Sequence, residues 1–227
     1  MDGLELLSAL RFGFLYQGQR YEWQDLRRGE AALDLPPWRF VHYLQNHDQL
    51  ANSAQGLRLH EVAAPGMYRL LTALWLLGPQ TPMFFQGQEF AAPTPFHYFA
   101  DHAQPLAGQI ARGRRKFLRQ YKRMRLPGTV RRVPVPHALA TFAACKLDRA
   151  AALSHEPHRR ALALHRDLLL LRQGDPAFAR QRRPEGAVLT SSAFVLRFGR
   201  DDGQDRLLVV NLGADHALPI APEPLLA

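Results

Sequence analysis

The sequence predicts an α/β chain in which a parallel β–α–β unit precedes a small antiparallel sheet. Two short apolar runs, residues 40–44 and 81–85, flank a strongly apolar helix expected from Pro65 to about Leu77. A strand, a helix and a second strand in this order form a right-handed parallel unit. Three later β-type runs separated by turn residues predict antiparallel strands. They cover residues 187–190, 193–198 and 206–211.

The composition favours a reducing compartment. The 227 residues include a single cysteine, Cys145, which has no partner for an internal disulfide. The first ten residues mix Asp2 and Glu5 into a short apolar stretch, which is not the pattern of a signal peptide. The longest apolar run, residues 70–78, is too short to cross a bilayer. We therefore expect a cytoplasmic protein with no membrane partner.

The net charge of +9 raises the hypothesis of a nucleic-acid partner. Arginines cluster in a basic helix predicted over residues 110–125, which contains Arg114, Arg115 and Arg119. Neither zinc-finger spacing nor an RNA-binding aromatic strand motif accompanies this cluster. Clustered charge by itself usually marks a solvated surface, so we favour a protein with no nucleic-acid partner.

The remaining elements are mainly helical. The first 38 residues predict a short helix followed by irregular chain. The basic helix is expected to bury one face, made of Ile110, Phe117, Tyr121 and Met124. A second amphipathic helix is expected over residues 157–173, with Arg172 on its outer face. Its inward side chains are expected to be Leu164, Leu168 and Leu171.

Polar side chains follow both strands of the predicted parallel unit. The first strand is followed by Asn46, His47, Asp48 and Gln49, and the second by Gln88 and Glu89. In parallel α/β barrels the carboxyl ends of the strands carry the active site. An amide, an imidazole and a carboxylate side by side suit a neutral, hydroxyl-rich substrate such as a sugar. The alternative is a polar turn in which Asp48 caps a helix or turn.

Other chemistries find little support. The sequence contains neither a Gly-x-Ser-x-Gly nucleophile motif nor a glycine-rich phosphate loop. The run His155-Glu156-Pro157-His158 has two imidazoles at close spacing, but Pro157 disrupts the helix that such a metal-binding pair needs. We expect no metal and no organic cofactor.

Several blocks of the chain resemble the malto-oligosyltrehalose trehalohydrolases, which are glycoside hydrolases of the α-amylase superfamily. The Asn46-His47-Asp48 triplet marks the superfamily, and the block at 86–92 with the loop ending in Asp101-His102 points to this branch. The resembling blocks are residues 40–49, 52–59, 79–92, 94–102, 146–148 and 164–169.

The resemblance implies a fold and a domain division. Residues 1–183 would form the C-terminal part of a (β/α)8 TIM barrel, with the two parallel strands as barrel strands seven and eight. Residues 184–227 would begin a small antiparallel β-sandwich domain.

The resemblance also implies a reaction, namely hydrolysis of the α-1,4 bond next to the terminal trehalose of malto-oligosyltrehalose or a related α-glucan. Asp48 would stabilise the transition state. The family's aspartate nucleophile and glutamate general acid follow strands four and five, for which residues 1–227 offer no match. We therefore expect this chain to be inactive alone, with the remaining barrel encoded upstream or supplied by another chain.

The resemblance and the position of the loops nominate further substrate-binding residues, some with two interpretations. For Glu89 a supporting or loop-anchoring role is favoured over proton donation. Asp101 and His102 either line the cleft or pin their loop, and Phe96 either stacks on a sugar or packs. The full set of binding candidates is Asn46, His47, Gln49, Gln88, Glu89, Phe96, Asp101 and His102. A non-catalytic carbohydrate-binding chain is the main alternative function, and a basic nucleic-acid binder is the third.

Overall fold

The computed structural model describes residues 3–22, 24–126 and 128–217. They divide into two compact units, and each is described by itself. The first unit is drawn from residues 3–42, 73–83 and 167–217, and the second from residues 43–72 and 84–166.

The described helices and strands follow one another along the chain. The α-helices are α1 Gly3–Phe12, α2 His47–Ala51, α3 Leu59–Val62, α4 Pro65–Leu77, α5 Leu106–Leu118, α6 Leu139–Ala144, α7 Arg149–Leu153, α8 Glu156–Gly174 and α9 Pro176–Ala179. The strands are β1 Arg20–Tyr21, β2 Leu26–Arg27, β3 Val41–His42, β4 Thr81–Pro82, β5 Glu185–Thr190, β6 Ala193–Phe198 and β7 Arg206–Asn211. Short 3-10 turns occur at Pro37–Arg39, Lys122–Arg125 and Val130–Arg132.

The two strands expected to be parallel neighbours, β3 and β4, are paired in parallel in the first unit, with Val41 opposite Thr81. Each strand is two residues long, so the predicted lengths of five residues were wrong. Pro82 has no N–H to donate, and the ladder is held from either side of it. The Thr81 amide donates to the Phe40 carbonyl over 2.9 Å, and the Met83 amide donates to the His42 carbonyl over 2.8 Å.

The three C-terminal β-type runs form an antiparallel sheet in the order β5-β6-β7. The central strand β6 is the most buried, because Phe194, Val195 and Leu196 are at most 1% exposed. Helix α1 packs against this sheet, where the Gly3 amide donates to the Ser191 carbonyl over 3.0 Å. All three strands lie within residues 184–227, the segment expected to begin a separate domain, and that domain division stays a prediction.

The prediction that Arg172 of α8 faces outward was wrong. Its side chain is buried, and it donates to the carbonyl oxygens of Leu76, Gly78 and Gln80. Leu76 lies in the last turn of α4, where carbonyls have no partner within the helix, and Gly78 and Gln80 follow the helix; one guanidinium satisfies all three carbonyls. The end of α4 thus determines where Arg172 lies, while Leu171 is 43% exposed instead of inward.

The N-terminal region also contains a hairpin where irregular chain was expected. β1 pairs with β2 in antiparallel register, with Arg20 opposite Arg27 and Tyr21 opposite Leu26. Strands of two residues are too short to show apolar alternation, so the sequence pattern did not reveal them.

Candidate functional site

All nine residues nominated for the site lie in the second unit, but they occupy three different settings. The first setting is helix α2, which carries Asn46 at its N-cap and His47, Asp48 and Gln49 in its first turn. The other two settings are the loop that follows β4 and the aromatic loop at residues 96–102.

Helix α2 begins with a reciprocal capping arrangement. The Asn46 side-chain oxygen accepts from the Asp48 amide over 2.8 Å, and the Gln49 side-chain oxygen accepts from the Asn46 amide over 2.9 Å. Together these bonds satisfy two amide groups that a helix start leaves open. Asn46 is therefore the cap, and the alternative that assigned this role to Asp48 was wrong. The side-chain oxygens of Asn46 and Gln49 are engaged within the protein.

The Asp48 side chain projects from this capped turn into solvent. It is 68% exposed, and the neighbouring His47 side chain is 65% exposed. The His47 Nε2 atom lies 3.7 Å from the Asp48 Oδ1 atom. An acceptor and an imidazole are thus presented together on an ordered turn, an arrangement that can bind hydroxyl groups.

Buried groups hold this turn from behind. Gln45 is 2% exposed, and its side-chain oxygen accepts from the Leu59 amide over 2.8 Å. Leu50 is likewise 2% exposed. At the other end of α2, the Arg114 Nη2 atom donates to the Ala51 carbonyl over 2.7 Å. These buried contacts therefore hold in place the helix that carries the exposed side chains of His47 and Asp48.

The loop after β4 is a compact turn packed into the core of the second unit. Gly87 has φ +81°, and its carbonyl accepts from the Ala92 amide over 2.8 Å. Phe90 and Ala92 pack in one apolar cluster with Ala152. Gln88 is completely buried, so its side chain is not accessible from the surface.

Arg58 organises this loop and was missed by the sequence analysis. Its side chain is fully buried, its Nε donates to the Thr94 carbonyl over 2.6 Å, and its Nη1 donates to the Gln86 carbonyl over 2.8 Å. Burial lowers the pKa of Arg58, and the carboxylates of Glu61 and Glu89 oppose that shift. The only signal in the sequence was an arginine inside a resembling block at 52–59, where it read as polar connecting chain.

Glu89 lies in a polar environment within the loop that follows β4. It is partly buried, and its carboxylate is close enough to Arg58, Tyr68 and His165 to influence the pKa of each. Burial is the main reason why the pKa of Tyr68 rises to about 12. The Tyr68 hydroxyl donates to the Gln88 carbonyl over 3.2 Å. Two of these neighbours, Arg58 and Tyr68, donate hydrogen bonds to carbonyls of the loop.

The aromatic loop is fastened mainly through Phe96. Its amide donates to the Gly56 carbonyl over 3.0 Å, and its ring packs edge-on against Phe85 at 4.9 Å between centroids. It also contacts Phe99 at 5.9 Å. Asp101 and His102 are exposed. The described contacts therefore assign packing neighbours to Phe96 and leave Asp101 and His102 on the surface.

Among residues 3–22, 24–126 and 128–217, no group of three or more His, Cys, Asp or Glu side chains could hold a metal ion. Within the same described part of the chain, no helix has the length and apolarity to span a membrane.

Comparison with known proteins reveals clear relatives, although no family model matches the sequence. A malto-oligosyltrehalose trehalohydrolase from Deinococcus radiodurans is 37% identical over 217 residues, which cover 94% of this chain and 35% of that protein. One from Rhizobium sp. (strain M-11) is 37% identical over 186 residues, covering 81% of this chain and 30% of the relative. A solved structure of a candidate α-amylase from Salmonella typhimurium is 32% identical, with a TM-score of 0.80, over 96% of this chain and 37% of that one.

The chain is thus similar in sequence and in fold to α-amylase-type glycosidases of the α/β class. The sequence relatives are malto-oligosyltrehalose trehalohydrolases, and this chain is related to the C-terminal part of those enzymes, as the sequence blocks predicted. The chain spans about a third of the length of the curated relatives it matches.

Proposed function

We propose that this chain forms the Asp48 side of the sugar-binding cleft in an enzyme that releases trehalose from malto-oligosyltrehalose. The single observation that carries the proposal is the exposed carboxylate of Asp48, held beside His47 on a capped turn that follows strand β3. The curated relatives bear the name of this reaction, which supports the choice of substrate.

The proposed fold is the C-terminal part of a (β/α)8 barrel. β3 and β4 would be barrel strands seven and eight, and residues 184–227 would begin the following β-sandwich domain. The parallel pairing of β3 with β4 supports the barrel assignment, as does the position of α4 between these two strands in the chain. Asp48 would then lie at the rim where such barrels bind substrate.

The chemistry that follows assigns Asp48 to transition-state stabilisation. Hydrolysis of a glycosidic bond normally uses two carboxyl groups, one as acid and one as nucleophile or base. In the proposed enzyme both lie outside residues 1–227. Asp48 accepts hydrogen bonds from hydroxyls of the sugar ring, and these strengthen as positive charge develops at the ring. His47, at 3.7 Å from the carboxylate, offers a second polar contact to the same ring.

The other nominated residues take mainly supporting roles in this proposal. Asn46 and Gln49 shape the turn that presents Asp48. Glu89 counters the buried charge of Arg58 and so supports the loop instead of donating a proton. Gln88 and Phe96 pack within the loops, while Asp101 and His102 are left as surface groups for either of their predicted roles.

A binding experiment on the intact chain tests the proposal. We expect residues 1–227 to bind maltopentaose in a calorimetric titration without hydrolysing malto-oligosyltrehalose. Asp48→Asn removes the charged acceptor and is expected to weaken binding about tenfold or more. The matched control Asp167→Asn removes one charge from the exposed face of α8 and should leave the affinity unchanged. Equal affinities for wild type and Asp48→Asn, or no binding by wild type, would refute the proposal.

A chimera tests the reaction itself. The matching 217 residues of the Deinococcus radiodurans enzyme would be replaced by those of this chain, with folding checked by circular dichroism. We expect trehalose release that Asp48→Asn reduces at least a hundredfold, on the scale that removal of one transition-state hydrogen-bonding group costs. Release of trehalose by residues 1–227 alone would show that the missing carboxyl groups are not needed.

The same experiments separate the two alternative functions. Sugar binding by the chain together with a folded but inactive chimera would favour a non-catalytic carbohydrate-binding role. Salt-steep DNA binding that depends on Arg114, Arg115 and Arg119, without sugar binding, would favour a nucleic-acid binder.

A further inference from the structure

Arg114 makes contacts that reach from helix α5 to the far end of helix α2. Its Nη2 donates to the Ala51 carbonyl over 2.7 Å, at the last residue of α2. Its guanidinium lies 4.9 Å from the ring centroid of Tyr98 and 5.5 Å from that of Phe117. A planar guanidinium can make a directed hydrogen bond and stack on aromatic rings at the same time.

Asp48 belongs to the same environment. Burial lowers the pKa of Arg114, while the nearby Tyr98, Tyr121 and Asp48 groups oppose that shift. Tyr121 adds a second link to the end of α2, because its hydroxyl accepts from the Asn52 side-chain amide over 3.2 Å. Arg114 and Tyr121 thus both contact the C-terminal end of α2, the short helix whose first turn carries Asp48.

A five-residue helix needs such outside support. Isolated helices of this length are unstable in water, so the orientation of α2 depends on its cap and on tertiary contacts. The cap at Asn46 fixes the first turn, and Leu50 fixes the buried face. The Ala51 carbonyl is an end group of the helix and receives its hydrogen bond from Arg114.

We propose that Arg114 is a positioning residue, which orients Asp48 toward the sugar by holding helix α2 and the Tyr98 ring in one arrangement. The inference rests on the proposed function for its consequence, sugar binding, but not for the mechanical link itself. It assigns a role to an arginine that charge patterning alone would count as part of a solvated basic surface.

The test uses hydrogen–deuterium exchange and maltopentaose binding on the intact chain. Arg114→Met keeps the apolar stem against Tyr98 and Phe117 but removes the donors. We expect faster exchange in residues 47–52 with no change in β6, and binding weaker by about tenfold. Arg114→Lys restores a donor and a charge, and is expected to recover most of the protection and affinity. The control Arg115→Met, on the exposed side of α5, should change neither measurement.

The outcomes distinguish this inference from the proposed function. Unchanged exchange in residues 47–52 of Arg114→Met overturns the positioning role, even if wild type binds the sugar. Failure of Arg114→Lys to recover either measurement also overturns it, because the change in Arg114→Met would then not come from the missing donor and charge. If Arg114→Met shows faster exchange in residues 47–52 but the wild type binds no sugar, the proposed function is refuted, and the sugar-orienting role falls with it.

Discussion

Replacing Arg58 with methionine is expected to loosen the loop that follows β4. In the wild type the guanidinium is completely buried and donates to the carbonyls of Gln86 and Thr94 over 2.8 and 2.6 Å. The two acceptors lie at either end of the packed segment that includes Glu89. Methionine fills much of the volume of the arginine stem but offers no donor, so both carbonyls lose their partner.

The expected magnitude follows from these two contacts. A hydrogen bond from a charged donor contributes about 1.5–3 kcal/mol, so losing both removes about 3–6 kcal/mol. The Nη2 atom of Arg58 is buried without a hydrogen-bond partner among the described residues, and methionine removes the cost of burying that group. We therefore expect the free energy of unfolding to fall by about 2–4 kcal/mol.

Equilibrium unfolding in urea, followed by circular dichroism, measures this loss. The control Arg69→Met removes an exposed arginine from α4 and should shift the free energy of unfolding by less than about 0.5 kcal/mol. Glu89→Gln added to Arg58→Met should cost less than Glu89→Gln alone, because the positive charge that Glu89 balances is already gone. A free energy of unfolding for Arg58→Met within about 0.5 kcal/mol of wild type would refute the reasoning.

Three further outcomes are expected. Arg172→Met leaves the carbonyls of Leu76, Gly78 and Gln80 without this donor and should lower the free energy of unfolding by about 2–4 kcal/mol. Leu171→Met, at an exposed position, should leave it nearly unchanged in the same urea titration. Burial lowers the pKa of His165 below its ordinary 6.5, with the Ala161 carbonyl and Glu89 opposing, so the unfolded chain binds a proton first. The stability that depends on neutral His165 is complete above pH 6.5 and is lost as the pH falls from there through the lowered pKa of the folded state. His165→Gln should therefore flatten the fall in the free energy of unfolding with decreasing pH, and an equally steep fall in the variant would contradict this. Gly87→Ala should cost about 1–3 kcal/mol, since the backbone has φ +81° and the new Cβ would lie 2.8 Å from that of Ala92; a neutral result in thermal unfolding would show that the loop relaxes freely.

Local patterns predicted much of the secondary structure. The helix from Pro65 and the strands β5 to β7 lie close to their predicted positions, because apolar runs and the turn residues between them are legible within a few residues of chain. The parallel pairing of β3 with β4 also agrees with the expected β–α–β order. The lengths of those two strands were overestimated, since hydrogen-bond partners, not apolarity, decide where a ladder ends.

Exposure of the amphipathic helices was harder to predict. Met124 is buried as expected, but Phe117 and Tyr121 of the same expected face are 48% and 39% exposed. Helix α5 ends at Leu118, so the 3.6-residue period does not continue into the following 3-10 turn. The buried face of a helix can be predicted correctly only as far as the ends of the helix are predicted correctly.

The amino-acid order by itself predicted the polar triplet around Asp48 and the resemblance to the malto-oligosyltrehalose trehalohydrolases, because both depend on short runs of neighbouring residues. Only the tertiary structure showed that Arg58 and Arg172 are interior groups and that Arg114 supports the end of α2. The physical reason is that a charged side chain is stable inside a protein only where carbonyls or carboxylates from distant segments surround it. Those partners become neighbours only when the chain has folded.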